Sequence, residues 1–112
     1  DQVKMIYLFD NSNSMSGKLE VSKNGELVSI IQIKNFLPEG EVKMFYPSGR
    51  LLATFNLKKG KPQGMMKAFF ENGKTKMIIN FKDGIQDGEA VKYDENGNVE
   101  EKVLYKNGKI AK

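Results

Sequence analysis

Apolar and polar side chains alternate along most of this sequence, and the alternation has a period of two. The runs 51–57 and 76–81 show it most clearly, with β-branched and aromatic residues frequent between the glycines. A strand sends successive side chains to opposite faces, whereas a helix needs apolar residues three and four apart. No stretch keeps the helical spacing for more than one turn. The pattern therefore predicts an all-β protein.

The eleven glycines mark a repeat of 24 residues, which is the main internal order of the chain. Gly17 lies one residue out of step. The other ten glycines fall on three phases of the period: Gly40, Gly64 and Gly88; Gly25, Gly49, Gly73 and Gly97; Gly60, Gly84 and Gly108. We therefore interpret 1–112 as a single domain, with a partial repeat and loop at 1–16 followed by repeats at 17–39, 40–63, 64–87 and 88–112.

Each repeat is interpreted as a β-hairpin followed by a link to the next one. Asn24-Gly25, Asn72-Gly73 and Asn96-Gly97 suit tight turns because both residues tolerate positive φ. The run 1–9 resembles the returning strand of an incomplete repeat, and the last repeat is polar, as expected of a cap. These features predict one elongated, twisted antiparallel sheet of about nine strands, built from four hairpins and a leading strand.

The composition excludes several kinds of chemistry. The 112 residues contain no His, Cys or Trp, which excludes disulfides, a Cys/His zinc site, a thiol nucleophile and a His-based triad. Glu100 and Glu101 face opposite sides of a strand, and Glu39 and Glu41 flank a glycine in a turn, so neither pair forms an acid–base site. We predict that the chain is not an enzyme and holds no cofactor or metal.

The basic residues favour a solvated surface over a nucleic-acid site. Eighteen basic and fourteen acidic residues give a net charge of +4, and Arg50 is the single arginine. Nucleic-acid sites favour the bidentate fork of arginine. Lysines recur at the repeat period in two rows: Lys43 and Lys67; Lys34, Lys58, Lys82 and Lys106. Such rows could bind anionic lipid or an acidic protein, or they could protect exposed strand edges.

The repeat resembles a known family. In MORN repeats an aromatic residue is followed, after three residues, by a glycine, and then by an alternating strand and Gly-x₃-Gly. The repeat of this chain has the same spacing. The run 69–74, with its Asn-Gly turn, is similar to the bacterial MORN variant of YwqK-type antitoxin proteins. The resemblance covers about residues 17–112, although Phe36 stands where later repeats have Gly60 and Gly84 and the chain lacks the tryptophan of the better-known consensus.

The resemblance implies consecutive hairpins stacked in one elongated, twisted sheet. It also implies a function as an interaction scaffold, a membrane-associated module, or an antitoxin or immunity protein. MORN repeats precede the catalytic domain of some lipid kinases, but this chain has no Gly-rich phosphate loop and no Asp-Phe-Gly-type metal site. A kinase name is therefore not supported by the chain itself.

Adjacent aromatic residues supply the candidate partner-binding surface, because neighbours in a strand point to opposite faces. One face is expected to hold six side chains: Phe45, Phe69 and Tyr93 with Phe55, Ile79 and Val103. The other face would then carry the candidate partner-binding residues Met44, Tyr46, Met66 and Phe70. These are either covered by another part of the chain or open to a protein partner or a second copy.

Two polar runs have oxygen ligands at spacings that a cation could use. Asp94, Asn96 and Asn98 resemble the opening of a calcium loop, but Val99 and Tyr105 stand where an EF-hand needs Gly and Glu. A hairpin turn is the preferred interpretation. The run 10–14 could likewise hold a cation or form a flexible link.

The leading functional interpretation is a non-catalytic protein-interaction module, with an antitoxin or immunity protein as its most concrete form. The alternative is attachment to a membrane or cell surface through lysines and apolar side chains. The chain starts at Asp1 without a methionine, which fits a removed signal peptide or an engineered boundary. An exported or surface location therefore stays open beside the cytoplasm, where an antitoxin would act.

Overall fold

The alternating runs of the sequence form β-strands. A computed structural model describes residues 2–11 and 15–111, and in that part of the chain no helix is long and apolar enough to cross a membrane. Nine strands have at least six residues and two have only two. Their bounds are β1 Val3–Phe9, β2 Gly17–Lys23, β3 Glu26–Lys34, β4 Leu37–Phe45, β5 Leu51–Lys58, β6 Lys61–Pro62, β7 Gly64–Phe69, β8 Thr75–Lys82, β9 Ile85–Tyr93, β10 Val99–Lys106 and β11 Lys109–Ile110.

The strands pair in chain order to give one open antiparallel sheet. Its order is β1-β2-β3-β4-β5-β7-β8-β9-β10-β11, and the short β6 pairs with β5 beside β7. The sheet measures 51 × 31 × 23 Å along its principal axes. Ten strands spaced ~4.8 Å apart span roughly 43 Å, so the long axis is the direction in which the strands stack. The predicted elongated sheet of hairpins is confirmed, with β6 and β11 added to the nine expected strands.

The register assigns the side chains to two faces of different character. Ile31 pairs with Val42, and Val42 with Phe55, so this row lies on one face. We call it the apolar face because it holds every buried side chain of the described residues, namely Leu19, Ile33, Val42 and Ala53. The opposite face carries Lys43, Thr54 and Lys67 in neighbouring strands. We call it the lysine face.

The predicted distribution of aromatic residues between the two faces is wrong. Because Val42 pairs with Phe55, Phe55 lies on the apolar face and Phe45 on the lysine face. Phe69 and Tyr93 follow Phe45 in the later repeats, where Ile79 pairs with Met66 and Val103 with Ala90. The physical reason is a bulge beside each turn: Phe45 pairs with Leu51 but Met44 with Ala53, so one extra residue, Leu52, shifts the pairing to even with odd. Residues of equal parity in the two strands therefore lie on opposite faces.

Two kinds of turn join the strands, and the predicted turn with two residues at positive φ does not occur at every Asn-Gly pair. Asn24-Gly25 and the links between hairpins have positive φ at both central residues, as at Lys59 (52°) and Gly60 (77°). These are type I′ turns. At Asn72-Gly73 and its counterpart one repeat later, only the glycine has positive φ, and the side chain of Asn72 accepts a hydrogen bond from the N–H of Lys74 (2.9 Å). The N–H of Gly73 bonds to the carbonyl of Phe70 and the N–H of Phe70 to that of Lys74, so Gly73 forms a bulge after a type I turn. A separate register shift follows at Lys76.

The glycine outside the 24-residue phases has a separate structural reason. A β-carbon on Gly17 would overlap the carbonyl oxygen of Leu8 and would lie 2.7 Å from the Cα atom of Phe9. Any side chain at this position would push β2 away from β1. Gly17 therefore marks the start of the β1–β2 pair and not a turn.

Candidate interaction surface

Two of the four predicted partner-binding residues lie on the apolar face. Met44 in β4 pairs with the buried Ala53 of β5, and Met66 in β7 pairs with Ile79 of β8. Met44 is 37% exposed and Met66 is half-buried. β5 separates their strands: Met44 lies beside Ala53, whose partner in β7 is Ala68, and Met66 lies two residues further along β7 on the same face. Unbranched methionine side chains adapt to irregular apolar surfaces, which suits a contact area of this kind.

The other two predicted residues, Tyr46 and Phe70, lie just beyond the ends of β4 and β7. The Tyr46 hydroxyl donates a hydrogen bond to the carbonyl of Phe69 at 2.5 Å, and so joins one repeat to the next. The ammonium of Lys76 lies 5.8 Å from the centre of the Phe70 ring. Both aromatic side chains are half-buried. Tyr46 therefore has a structural role that its place in the sequence pattern did not reveal.

The turns at this end of the strands are tied together by a second pair of contacts. Ser48 donates to the carboxylate of Glu71 at 2.5 Å, and the Arg50 guanidinium donates to the carbonyl of the same residue at 2.9 Å. The single arginine of the chain thus connects two neighbouring repeats. Sequence reasoning gave no role to Ser48 or Glu71: Asn72 stands one period after Ser48, and Glu71 recurs as Glu95 without forming part of a predicted site.

The apolar face continues into a shallow cavity of about 200 Å³ over the C-terminal half of the sheet. Apolar side chains form most of its floor: Met77, Ile79, Ala90 and Val103. Lys92 and Glu101 pair across β9 and β10 and line the same cavity. They occupy places that Met44 and Ala53 hold two repeats earlier. The apolar face therefore ends in a region that carries one positive and one negative charge.

The lysine face combines cations with nearby carboxylates. The ammonium of Lys43 lies 3.7 Å from Glu41, and that of Lys102 lies 2.8 Å from Glu89, with all four side chains exposed. The hydrogen bond to Glu89, and then its charge, raise the pKa of Lys102 above its ordinary value. The second predicted row is also exposed, and each member ends a strand immediately before a link: Lys34, Lys58, Lys82 and Lys106. These lysines therefore form a row along the side of the sheet where the links between hairpins lie.

The run that resembles a calcium loop forms a hairpin turn, as preferred. One oxygen of the Asp94 carboxylate accepts the N–H groups of Asn96 and Asn98, both at 2.9 Å. These hydrogen bonds, chiefly the one from Asn98, lower the pKa of Asp94. Within residues 2–11 and 15–111, no three His, Cys, Asp or Glu side chains are grouped to hold a metal ion. Of the other polar run, residues 12–14 lie outside the described part.

An open sheet of 24-residue hairpin repeats, apolar on one face and cationic on the other, defines a β-hairpin repeat protein. The profile described as "MORN repeat variant" matches residues 38–59, 62–83 and 86–107, three segments that start 24 residues apart. The match covers more than half of the chain, which therefore belongs to the MORN repeat variant family. Its repeats indicate a repeat-containing binding module, and the family is generally non-catalytic.

Two further comparisons concern curated proteins and solved structures. A comparison with curated proteins gives no match. Among solved structures, the chain is similar to part of the crystal structure of accessory secretory protein 1, 2 and 3 in Streptococcus pneumoniae, with 19% identity and a TM-score of 0.40. The alignment covers 96% of this chain and 18% of that chain.

Proposed function

We propose that this chain is a protein-interaction module that binds its partner through the apolar face. The observation that supports the proposal is the incomplete burial of that face. No second layer packs on it within the described residues, so Met44 stays 37% exposed, and Phe55, Met66 and Ile79 are only half-buried. A protein surface laid on this face would remove the remaining apolar area from water.

The charged residues at the end of the apolar face indicate which groups the partner should carry. Lys92 and Glu101 line the cavity over the last repeats, so a well-fitting partner presents an acidic and a basic group around an apolar centre. Opposite charges placed in this way fix the register of a complex and reject partners that lack them. An apolar contact area with a charged pair at one end is therefore the expected footprint.

The most concrete form of the proposed function is an antitoxin or immunity protein. Such a protein needs no chemistry of its own, because it neutralises a toxin by covering the toxin's active surface. A rigid sheet with one apolar face is suited to this kind of occlusion. The partner would then be a toxin encoded close to this chain.

The experiment compares two methionines of the apolar face, Met44 and Met66, with Met65, which is adjacent to Met66 and points to the lysine face. Met44→Ser combined with Met66→Ser removes two thioethers from the apolar face, while Met65→Ser removes one from the lysine face, where Met65 is 47% exposed. The purified chain and its variants are titrated with the product of the neighbouring gene in a calorimeter. Affinity should fall at least tenfold for the double variant and stay unchanged for Met65→Ser.

Two outcomes would contradict the proposal. One is equal loss of affinity in the double variant and in Met65→Ser, because the contact would then not depend on the apolar face. The other is unchanged affinity in both. For the antitoxin form, the chain should restore growth to cells that express the partner, and the double variant should not.

A second candidate function is attachment to an anionic membrane surface, and the exposed row of Lys34, Lys58, Lys82 and Lys106 favours it. Clustered lysines bind anionic headgroups through charge, so this binding weakens as salt rises. The chain should sediment with phosphatidylserine vesicles at 50 mM salt and not at 500 mM, and should not sediment with phosphatidylcholine vesicles. Lys58→Gln with Lys82→Gln should reduce the bound fraction. Binding that ignores salt or these two lysines would exclude this function.

A further inference from the structure

The two edges of the sheet are protected to very different degrees. One edge ends in β11, a two-residue strand that contains Lys109 and lies next to Lys106. Short strands and lysines are common means of preventing edge-to-edge pairing. The other edge is β1, which has seven residues, pairs regularly with β2 and contains no glycine, proline or bulge. Lys4 is its single charged residue.

The open side of β1 presents unpaired main-chain groups at alternate residues. The N–H and carbonyl of Gln2 both bond to Asn24, and the N–H of Asp10 bonds to the carbonyl of Ser16, so the even-numbered residues point toward β2. In a regular antiparallel strand, adjacent residues direct these groups to opposite sides. The odd-numbered residues therefore point them outward: Val3, Met5, Tyr7 and Phe9. No strand of the described chain pairs on that side.

The side chains of β1 are unusually apolar for an exposed edge. All seven residues are exposed, including Met5 at 60%, Tyr7 at 55% and Ile6 at 39%. The Tyr7 and Phe9 rings stack with their centres 6.1 Å apart. A strand with high β-propensity, one charge and no proline is the kind of edge that pairs with another strand.

We propose that β1 pairs with β1 of a second copy of this chain, antiparallel about a two-fold axis at Ile6. This inference does not rest on the proposed function, which concerns the apolar face. A residue whose main-chain N–H and carbonyl point outward must pair with another such residue. A two-fold axis at Ile6 pairs the largest number of these residues between the two β1 strands. Met5 then pairs with Tyr7 of the other copy and Val3 with Phe9, through about eight main-chain hydrogen bonds. On the lysine face, Ile6 meets its own equivalent.

The charges support this register. Lys4 lies opposite Leu8 of the other copy, so no two like charges meet across the axis. A two-fold axis perpendicular to the sheet also keeps the apolar faces of both copies on one side, and the apolar row through Tyr7 and Leu19 continues into the second sheet. Two seven-residue strands bury less than the ~1,600 Å² of a standard interface. A weak dimer that forms at high concentration is therefore expected.

The first test is the mass of the 112-residue chain by sedimentation equilibrium from about 1 μM to about 1 mM. The mass should rise from 12.6 kDa toward twice that value. Over the same range, hydrogen exchange of the outward amides of Met5 and Tyr7 should slow, while exchange at Ile6 should not depend on concentration. A mass of 12.6 kDa at every concentration would overturn the proposal.

The second test uses opposite charges at one position. Leu8→Glu places a carboxylate opposite Lys4 of the other copy, twice per dimer, whereas Leu8→Lys places an ammonium there. Leu8 is 42% exposed and pairs with Lys18 of β2, so at about 5 μM both variants should stay folded, with Leu8→Glu melting slightly above the parent and Leu8→Lys slightly below it. The dissociation constant of Leu8→Lys should exceed that of Leu8→Glu roughly tenfold. Adding Lys4→Glu to Leu8→Lys should restore the affinity. Equal affinities for the two Leu8 variants would show that the copies meet elsewhere and would refute the pairing.

Discussion

The carboxylate of Glu39 accepts a hydrogen bond from the backbone N–H of Lys59 at 2.9 Å, twenty residues further along the chain. The same contact recurs in the next two repeats, where Gln63 accepts from the N–H of Asp83 (2.7 Å) and Asp87 from that of Asn107 (3.4 Å). Each donor is the first residue of a type I′ turn with φ of 52°. The last side chain of one repeat therefore holds the link turn near the end of the next repeat. We call these contacts the turn clasps.

Removal of a turn clasp should destabilise the sheet more where the hydrogen bond is shorter. Gln63→Ala should lower the free energy of unfolding by about 1 kcal/mol, Glu39→Ala by somewhat less and Asp87→Ala least, because one net hydrogen bond contributes about 0.5–1.5 kcal/mol. Urea unfolding at one pH measures the order. Glu41→Ala is the control, since it removes only the exposed ion pair to Lys43, which is worth little. An effect of Glu41→Ala as large as that of Gln63→Ala would contradict the role of the clasps.

The sequence predicts the strands well and the turn clasps not at all. The 24-residue spacing of the glycines locates the turns after Lys23 except Asn35-Phe36, since each of the others contains a glycine at positive φ. Glu39, Gln63 and Asp87 also recur at that period, but they share only an acceptor oxygen and not an identity. A search for a conserved chemical function across repeats, in place of a conserved residue, would have found them.

The division of side chains between the faces could not be predicted from alternation alone. Alternation shows that Met44 and Phe45 point in opposite directions, but which strand partner each one meets depends on the register across the turn. A change of one residue in that register exchanges the two faces. The extra residue Leu52 sets this register, because Phe45 pairs with Leu51 but Met44 with Ala53, and no residue type in the run 51–53 signals a bulge.

The apolar face should account for most of the stability of the sheet. Val42 is 4% exposed and Val99 is 56% exposed, so the same substitution tests both extremes. Val42→Ala should cost about 2 kcal/mol, from the lost burial and the small cavity that remains, and Val99→Ala should cost less than 0.5 kcal/mol. Chemical denaturation with a constant m-value gives both numbers. Equal costs would mean that the apolar face is not the interior of the molecule.

Phe36 should be replaceable by glycine with a gain in stability. It occupies the second position of a type I′ turn with φ of 65°, where later repeats have Gly60, Gly84 and Gly108. Left-handed geometry costs a side-chain-bearing residue about 1–2 kcal/mol, and the added freedom of glycine in the unfolded chain returns part of this. The edge-to-face contact with Phe9 is also lost, although Phe36 is 62% exposed. We expect Phe36→Gly to stabilise the chain by about 0.5 kcal/mol.

A rise of roughly 2–4 °C in the melting temperature would correspond to that gain. Leu37→Gly is the matched control, because Leu37 is equally exposed and adjacent but lies in β4 at ordinary strand angles. Glycine within a strand costs stability, so the control should melt at a lower temperature than the parent. If both variants lose stability, the contact of Phe36 with β1 outweighs the strain of its turn.

The Asp94 turn should give the sheet a dependence on acid that one substitution removes. The N–H of Asn98, assisted by that of Asn96, holds the pKa of Asp94 below its ordinary value of 3.8, so the folded state favours the charged carboxylate. A lowered folded pKa means that this contribution is complete above about pH 3.8 and is lost as the pH falls through the lower folded value. The melting temperature of the parent should therefore exceed that of Asp94→Asn at pH 6.

Below pH 3.8 this difference should shrink toward zero, because the protonated carboxyl then resembles the amide. Glu95→Gln controls for the loss of one negative charge from the same turn. Melting curves of the parent and both variants between pH 6 and pH 2.5 provide the measurement. A difference between the parent and Asp94→Asn that stays constant over this range would show that the Asp94 carboxylate does not stabilise the turn through its charge. The stability of the turn would then be independent of pH.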